Sequence, residues 1–525
     1  MTPSLIITNA RMPLHAGSVP PTALAVRNGR IAAIGADTDI AALAGPGTER
    51  IDAEGRWLLP GLTDSHTHLV LAAIRTLQVD LSDSPSLEDA LARVSARVAV
   101  TPEGEWVVGG GWDRERWGMD TLPHRRMLDA ISQRHPIVLQ SRDWHSLWVN
   151  GAALAAAGID AASADPPGGW ILRDSDGGPS GILQETACAP LLERIPSPPI
   201  DTLRPALRDT IAALHRHGIT AVHSVDTDGD FPHLEALHHE GLLDLRVAWY
   251  FPAALLESDR HPALGGDDIL RICGVKLFAD GSLGSQTAHM IDPYHLLGHR
   301  GVAVHTPERL RAIIATAVAG GFPCAVHAIG DAANRDVLAA FAAVAESSRG
   351  QGLRHRIEHA QHLRPESVAE FARLGIAASM QPVHLAGDVP LIDRFLGSER
   401  RAQAYPFRSL QNAGIRLAFG SDMPIETFDP WKGMYMAVAR KPFCDPERDT
   451  YVEEETLSLM VALRAYALNP IALCGDRSRE GGLLAGRAAD LILLDRSLDG
   501  AAPETLLDTR VVLTVQDGVV RHRAL

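Results

Sequence analysis

The sequence predicts an α/β protein built on a (β/α)8 TIM barrel, with a composite β-sandwich domain from the N- and C-terminal segments and an insertion after the first barrel strand. Three observations lead to this prediction. Short apolar runs alternate with helical stretches through the middle of the chain, eight of those runs have strand character, and both ends carry short β-rich runs with tight turns.

The central region has the periodicity of parallel strands joined by crossover helices, and residues 307–320 and 332–345 are two of its helical stretches. Eight parallel strands is the number that closes a barrel of this kind. The predicted strands are residues 57–64, 219–224, 245–251, 272–278, 323–327, 354–359, 376–381 and 416–421.

The two ends of the chain contain strand candidates separated by turn signals, Asn28-Gly29 near the start and Asp517-Gly518 near the end. Each set is too small to bury a core alone, so we expect them to pair into one β domain. The predicted boundaries are 1–56 and 471–525 for the β-sandwich, 57–470 for the barrel and 80–200 for the insertion.

The insertion is predicted because the gap between the first two strands is too long for one crossover and contains Pro- and Gly-rich stretches such as 165–169. Its place after the first strand would put it over the catalytic face. Its tryptophans indicate either its own core, the favoured interpretation, or a pocket for a substrate with a bulky apolar group. They are Trp106, Trp112, Trp117, Trp144, Trp148 and Trp170.

Composition excludes several function classes. The net charge of -15, with no basic block, argues against a nucleic-acid partner. The five scattered cysteines fit neither a disulfide framework nor a zinc finger. With no secretory signal and no long apolar run, we expect a cytoplasmic protein without a membrane partner, acting on a small molecule; homo-oligomer formation is left open.

Six metal-competent side chains lie at predicted strand ends, where barrel active sites are built. His66 and His68 are two residues apart, so in an extended chain both imidazoles face one side. Lys276, His327, His359 and Asp422 occupy the ends of four other strands. A satisfied polar histidine, a helix-capping Asp or a snorkelling Lys would explain each one singly. Together they predict a site for zinc, or for manganese, iron or cobalt.

The sequence also resembles a known family, the amidohydrolase superfamily, and within it the YtcJ-like branch called amidohydrolase family 3, which includes proteins of the N-substituted formamide deformylase type. The resemblance covers nearly the whole chain and rests on five phrases. They are PGLTDSHTH at 60–68, GVKLFADGSLGS at 274–285, AVHAIGD at 325–331, RIEH at 356–359 and FGSDMP at 419–424.

The resemblance implies that His66 and His68 hold the more buried of two metal ions and that His327 and His359 hold the second. It further implies that Lys276 bridges them after N6-carboxylation, since an ammonium cannot ligate a cation. The sequence leaves open whether one ion or two are bound.

Asp422 is implied to contact the buried metal and to act as general base. The implied reaction is hydrolysis of a carbon–nitrogen bond other than a peptide bond, in an N-substituted amide or formamide, by a metal-bound hydroxide. The alternatives are a deaminase or lactonase on the same site, and a non-enzymatic regulatory or binding protein.

Two residues of the insertion lie in further phrases of family character but have two interpretations each. His145 either hydrogen-bonds the substrate carbonyl, which makes it a candidate catalytic residue, or orients a loop. Glu185 either reaches the metal site as an additional ligand or begins a helix and pairs with a neighbouring Arg.

Overall fold

A computed structural model describes residues 2–15, 17, 20–114, 116–142, 144, 146–166, 169–227, 229–258, 262–295 and 298–525. The chain divides into two compact units. The larger unit consists of Met1–Val70 and Arg208–Leu525, and the smaller unit is Leu71–Leu207.

The larger unit contains the barrel, a parallel sheet in which each strand pairs with its neighbours in chain order. A two-residue strand, Gly265–Gly266, adds an antiparallel edge to the fourth barrel strand. The prediction of eight parallel strands is confirmed. In order they are Leu62–Thr67, Ile219–Ser224, Arg246–Pro252, Leu270–Phe278, Cys324–Ala328, Arg356–His359, Ala377–Met380 and Leu417–Phe419.

The first predicted strand, 57–64, is in fact two strands in two sheets. Leu58–Pro60 pairs with Leu491–Leu494 of the C-terminal sheet, and Leu62–Thr67 begins the barrel. Gly61 lies at the junction, where a Cβ atom would come within 2.3 Å of the Thr220 hydroxyl. Because both runs are apolar, the sequence pattern does not separate them. As a result His66 lies inside the first barrel strand.

Helices cover the outside of the barrel and bury apolar faces on it, for example Leu310 and Ile314 of one helix and Val337 and Phe341 of the next. The helices from the second strand onward are Phe231–His239, Pro307–Ala319, Asp331–Ala343, Ala345–Gln351, Pro365–Leu374, Leu385–Phe395, Phe407–Asn412, Pro430–Ala439, Leu459–Ala467 and Asn469–Leu473. Short 3-10 helices are Ala253–Glu257, Pro382–His384, Ser398–Gln403, Glu453–Glu455 and Pro503–Asp508.

The predicted composite β-sandwich is also present. One four-stranded sheet comprises Arg30–Gly35, Ala23–Arg27, Leu5–Thr8 and Glu49–Asp52, and the other comprises Val519–Arg523, Val511–Gln516, Leu491–Leu494 and Leu58–Pro60. The two sheets share one apolar core, to which Leu5 and Leu24 contribute from the first sheet and Leu491 and Leu513 from the second. Both predicted hairpin turns form, with positive φ at Asn28-Gly29 and at Asp517-Gly518. The short helix Asp37–Ala41 packs on the first sheet.

The smaller unit is the insertion after the first barrel strand, and its six-stranded sheet has the order Gly169–Arg173, Pro179–Glu185, Ser146–Val149, Ile137–Ser141, Val107–Trp112 and Val79–Asp80. Its helices include Leu87–Val100, Arg125–Asp129, Gly151–Ala157 and Ala189–Leu192. Trp112 and Trp148 are buried in its core, with Trp106 and Trp117 packed against that core. Four of the six tryptophans thus belong to the insertion's own core, which was the favoured interpretation. That this unit covers the catalytic face stays a prediction.

Two helices connect the units, Leu69–Thr76 after the first barrel strand and Ile200–Arg216 before the second. A search of the described helices found none with the length and apolar character needed to cross a membrane. All five cysteines are free thiols.

Candidate metal centre

The first and eighth barrel strands meet at the predicted site through backbone hydrogen bonds. The Asp422 amide donates to the His66 carbonyl over 2.8 Å, and the His68 amide donates to the Met423 carbonyl over 2.8 Å. This pairing brings the Asp422 carboxylate to both imidazoles. Its Oδ1 lies 3.3 Å from His66 Nε2 and 3.4 Å from His68 Nε2. Three of the predicted ligands therefore converge.

A buried carboxylate, Asp64, holds this junction closed. Its Oδ1 accepts hydrogen bonds from the Ser421 amide at 2.9 Å and from the His66 amide at 3.2 Å, and its Oδ2 accepts from the Ser421 hydroxyl at 2.5 Å. Gly420 allows the close approach, because a Cβ there would lie 2.6 Å from the His66 amide nitrogen. The Gly-Ser-Asp sequence thus fits against the first strand at the position where its Asp reaches the histidines.

Two candidate ligands have backbone conformations that residues other than glycine rarely adopt. His359 has φ of 68° and Asp422 has φ of 62°. Left-handed backbone at such residues is unfavourable by about 1–3 kcal/mol each and is concentrated at functional sites. The fold holds both residues in this conformation at strand ends, which is the expected place for side chains that must be aimed at a ligand.

His359 lies in a second group around Asp422, together with His384, which the sequence reasoning missed. Among the described residues, two groups of three side chains could hold a metal ion, His66–His68–Asp422 and His359–His384–Asp422. His384 Nε2 is 3.8 Å from Asp422 Oδ2. The signal in the sequence is a histidine four residues past the seventh strand, the one late strand from which we drew no candidate.

His327 and Lys276 lie beside these groups. The His327 ring centroid is 4.5 Å from that of His359, but its Nε2 is 3.0 Å from the Gly281 carbonyl oxygen, and neither three-residue group includes it. Lys276 is buried, with its Nζ 4.6 Å from the centroid of the Phe278 ring. Burial lowers the pKa of Lys276 to about 8.

A second missed residue, Glu358, fixes His66 from behind. Glu358 Oε2 lies 2.6 Å from His66 Nδ1, and its Oε1 pairs with Arg356 Nε at 2.5 Å. Although burial opposes the charge, the Arg356 guanidinium and His66 lower the pKa of Glu358 to about 2. A carboxylate on the second ring nitrogen is the usual partner of a metal-binding histidine. The signal was present in the phrase Arg356-Ile-Glu-His359, to whose Glu we gave no role.

The charge states of three of these side chains, His327, His359 and Asp422, fit a cation. Burial lowers the pKa of His327 to about 3 and that of His359 well below its ordinary value, so both rings are neutral, the form that binds metals. Burial opposes the charge on Asp422, but His66 and its neighbours hold the pKa of Asp422 well below its ordinary value. Imidazole nitrogens with an ionised carboxylate are a donor set suited to zinc and similar ions.

The remaining predicted residues lie in the insertion. Glu185 ends the strand Pro179–Glu185 with φ of 54°, and neither three-residue group among the described residues includes it. His145 falls outside the residues that the structure describes. The roles suggested for both stay predictions.

Comparison with known proteins places the chain in a family. A model of the amidohydrolase family matches residues 49–522, nearly the whole chain. The chain belongs to the amidohydrolase family. This amidohydrolase is 31% identical to the putative amidohydrolase YtcJ of Bacillus subtilis, over 90% of each chain, which confirms the predicted YtcJ-like branch.

Two further relatives also align over most of their length. Protein LONG AFTER FAR-RED 3 of Arabidopsis thaliana is 34% identical, over 93% of this chain and 87% of its own. The N-substituted formamide deformylase of Arthrobacter pascens is 29% identical, over 99% and 98%. Among solved structures, an uncharacterized metal-dependent hydrolase from Pyrococcus furiosus superposes with a TM-score of 0.76 at 26% identity, over 95% of this chain and 99% of its own.

Proposed function

We propose that this amidohydrolase is a metal-dependent hydrolase that cleaves a carbon–nitrogen bond other than a peptide bond, in an N-substituted amide or formamide. The observation that carries the proposal is the convergence of His66, His68 and Asp422, with His359 close by, at the carboxyl ends of the barrel strands. Similarity to the N-substituted formamide deformylase over nearly the whole length of both chains supports the choice of bond.

His66, His68 and Asp422 would hold a divalent ion, zinc before manganese, iron or cobalt. A bound ion of this kind lowers the pKa of water and polarises a carbonyl oxygen. The chain's contribution is to fix the donors before substrate arrives. Glu358 holds the His66 ring through Nδ1, and Asp64 holds the Ser421–Asp422 backbone against the first strand.

Asp422 would move the proton of the reaction. Its carboxylate is ionised, so it can accept a proton from the attacking water and return it to the leaving nitrogen. The water oxygen forms a bond to the carbonyl carbon, the carbon–nitrogen bond breaks, and the products are an amine and a carboxylic acid, formic acid for a formamide. The acid ionises in solution.

Lys276 would become a ligand only after its amine attacks carbon dioxide, which gives a carbamate and releases one proton. Its lowered pKa favours this step, because about 8 leaves part of the amine neutral near physiological pH. Its Nζ lies 4.6 Å from the centroid of the Phe278 ring, which is 5.2 Å from that of His327, and this position supports a role for the carbamate as a metal ligand.

Phe278 suggests which substituent the substrate carries. The residue is 45% exposed although it is at the end of a barrel strand, and the centroid of its ring is 5.2 Å from that of His327. An exposed aromatic ring beside candidate metal ligands would bind an apolar group on the nitrogen of the substrate. Phe278→Ala should therefore raise KM for an N-benzyl amide more than for an N-methyl amide.

The test is a hydrolysis screen of the full chain with zinc or manganese, over N-formyl and N-acyl amines, lactones and amino-heterocycles. We expect amine and carboxylate from the formyl or acyl compounds, and we expect Asp422→Asn to lose that activity while keeping its fold. Ammonia from the heterocycles without carboxylate would indicate a deaminase, and turnover of lactones alone a lactonase. A folded wild-type chain that binds no metal would favour a non-enzymatic role.

A further inference from the structure

We propose that His359, His384 and Asp422 form a second metal position, so that the seventh strand end supplies a ligand in addition to the five strands predicted from the sequence. This inference rests on the proposed function, and it names the residues that a second ion would use. In the arrangement implied by family resemblance, the second ion is held by His327 and His359; here the third donor of the group is His384.

Asp422 carries the first part of the argument, because its two oxygens face different histidines. Oδ1 is 3.3 Å and 3.4 Å from the Nε2 atoms of His66 and His68, whereas Oδ2 is 3.8 Å from His384 Nε2. One ligand atom from each of His359, His384 and Asp422 lies within 4.8 Å of the other two. A carboxylate placed between two donor groups in this way can bridge two ions, as in enzymes with paired metals.

His359 carries the second part. It is buried, with 4% of its surface exposed, and among the described residues its Nδ1 has no hydrogen-bond partner. A buried polar atom without a partner is unfavourable by about 1–3 kcal/mol. The strained backbone at His359, with φ of 68°, adds to this. A metal ion bound by the His359 ring would offset both the cost of the unpartnered nitrogen and that of the strained backbone.

His384 carries the third part, because the fold holds its ring next to the end of the eighth strand. It ends the 3-10 helix Pro382–His384, directly before the helix Leu385–Phe395. Its Nε2 lies 3.3 Å from the Ser421 carbonyl oxygen. The same nitrogen is 3.8 Å from Asp422 Oδ2, so the ring lies beside the carboxylate that a second ion would share.

His327 is less suited to be the third donor, because neither three-residue group among the described residues includes it and its Nε2 faces two other oxygens. The Gly281 carbonyl oxygen is 3.0 Å away and Asp280 Oδ1 is 3.5 Å away.

The experiment counts ions rather than turnover. The chelator-treated full chain is titrated with Co²⁺, and bound metal per chain is measured by atomic emission after desalting, with the visible absorption of bound cobalt as a second readout. We expect two ions in the wild type. In His384→Ala the first ion should stay bound, the second should bind at least tenfold more weakly, and the cobalt absorption should change.

His362→Ala is the matched control. His362 is also buried with an Nδ1 that lacks a partner among the described residues, yet neither three-residue group contains it, so this variant should keep both ions. Should His384→Ala not fold, as judged by circular dichroism, His384→Gln replaces it with the same expectation. Two results would overturn the inference and leave the proposed function standing. In one, a folded His384 variant binds both ions as tightly as the wild type does. In the other, the wild type binds only one ion, with the same affinity as the variant. No binding in the wild type would overturn the proposed function itself.

Discussion

The amino and carboxyl ends of the barrel strands use buried histidines in opposite ways. At the amino end, the Cys324 amide donates to His355 Nδ1 over 3.0 Å, and His355 Nε2 lies 2.9 Å from the Ser348 hydroxyl. His215 has the carbonyl oxygens of Ile219 and Asp244 at 3.2 Å and 2.6 Å from its two nitrogens. Every nitrogen of these two rings has a polar atom of the protein within 3.2 Å.

At the carboxyl end, imidazoles converge on a shared carboxylate and one nitrogen is left over. His66, His68 and His384 all approach Asp422, and Nδ1 of His359 has no partner among the described residues. Burial alone does not separate the two kinds of histidine. A missing partner alone does not either, as His362 shows. We interpret the combination of a free nitrogen and converging donors as a ligand site, and fully bonded rings as part of the fold.

The largest expected effect comes from removing the ring with the free nitrogen. His359→Ala should lower kcat/KM by about 10³-fold, since a ligand to a catalytic metal supports several kcal/mol of transition-state stabilisation. Its free energy of unfolding in the presence of chelator should be close to that of the wild type, because the substitution removes a buried group without a partner. Steady-state kinetics and urea unfolding measure the two quantities; a large loss of stability with activity retained would reverse the assignment.

The matched substitution at the amino end of the strands should lower stability and leave activity nearly unchanged. His355→Ala leaves the Cys324 amide and the Ser348 hydroxyl without their partner, which should lower the free energy of unfolding by about 2–3 kcal/mol. At a temperature where the variant is folded, kcat/KM should stay within about twofold of the wild type, since local packing defects rarely reach a distant site. Loss of activity in the folded variant would show that the two ends are coupled.

Much of this contrast could be predicted from the sequence, because the end of a barrel strand is recognisable from a short stretch of residues. Barrel strands are apolar runs, and ligands follow at their ends, so His66, His68, His359 and Asp422 could be placed by position alone. His384 could not, because it lies four residues past its strand in a 3-10 helix whose direction depends on tertiary packing. The sequence pattern gives the end of a strand, but not the course of the turn that follows it.

Contacts across the barrel could not be predicted from the sequence, because they join residues that are far apart in the chain. Glu358 meets His66 although 292 positions separate them in the chain, and the alternation of a strand says only that Glu358 and Arg356 share a face. The orientation of His327 depends in the same way on Gly281, which belongs to another strand end. Side-chain partners of this kind follow from barrel closure, which no local pattern encodes.

The carboxylate behind His66 should have the next largest effect. Glu358→Gln keeps the shape but removes the charge that holds the ring, and we expect metal affinity to fall about 10–100-fold. Competition with a chromophoric chelator measures the affinity, and circular dichroism checks the fold. Asp331→Asn is a suitable control, because Asp331 is a buried carboxylate paired with Arg364 and lies outside both three-residue groups. Equal losses in the two variants would point to a general loss of stability instead.

The smallest effect is a pH dependence at the amino end. Burial lowers the pKa of His355 to about 4, while an unfolded chain has the ordinary value near 6.5. Between these values the unfolded state binds a proton that the folded state does not. The stability contributed by the neutral ring is therefore complete above about pH 6.5 and is lost as the pH falls toward 4.

His355→Gln isolates this titration because the amide carries no ionisable group. With chelator present throughout, the difference in unfolding free energy between wild type and variant should shrink by about 2 kcal/mol from pH 7.5 to pH 5. Urea unfolding at several pH values measures it. If the difference is independent of pH, His355 is charged or exposed in the folded chain, and the rule that fully bonded rings belong to the fold loses its clearest example.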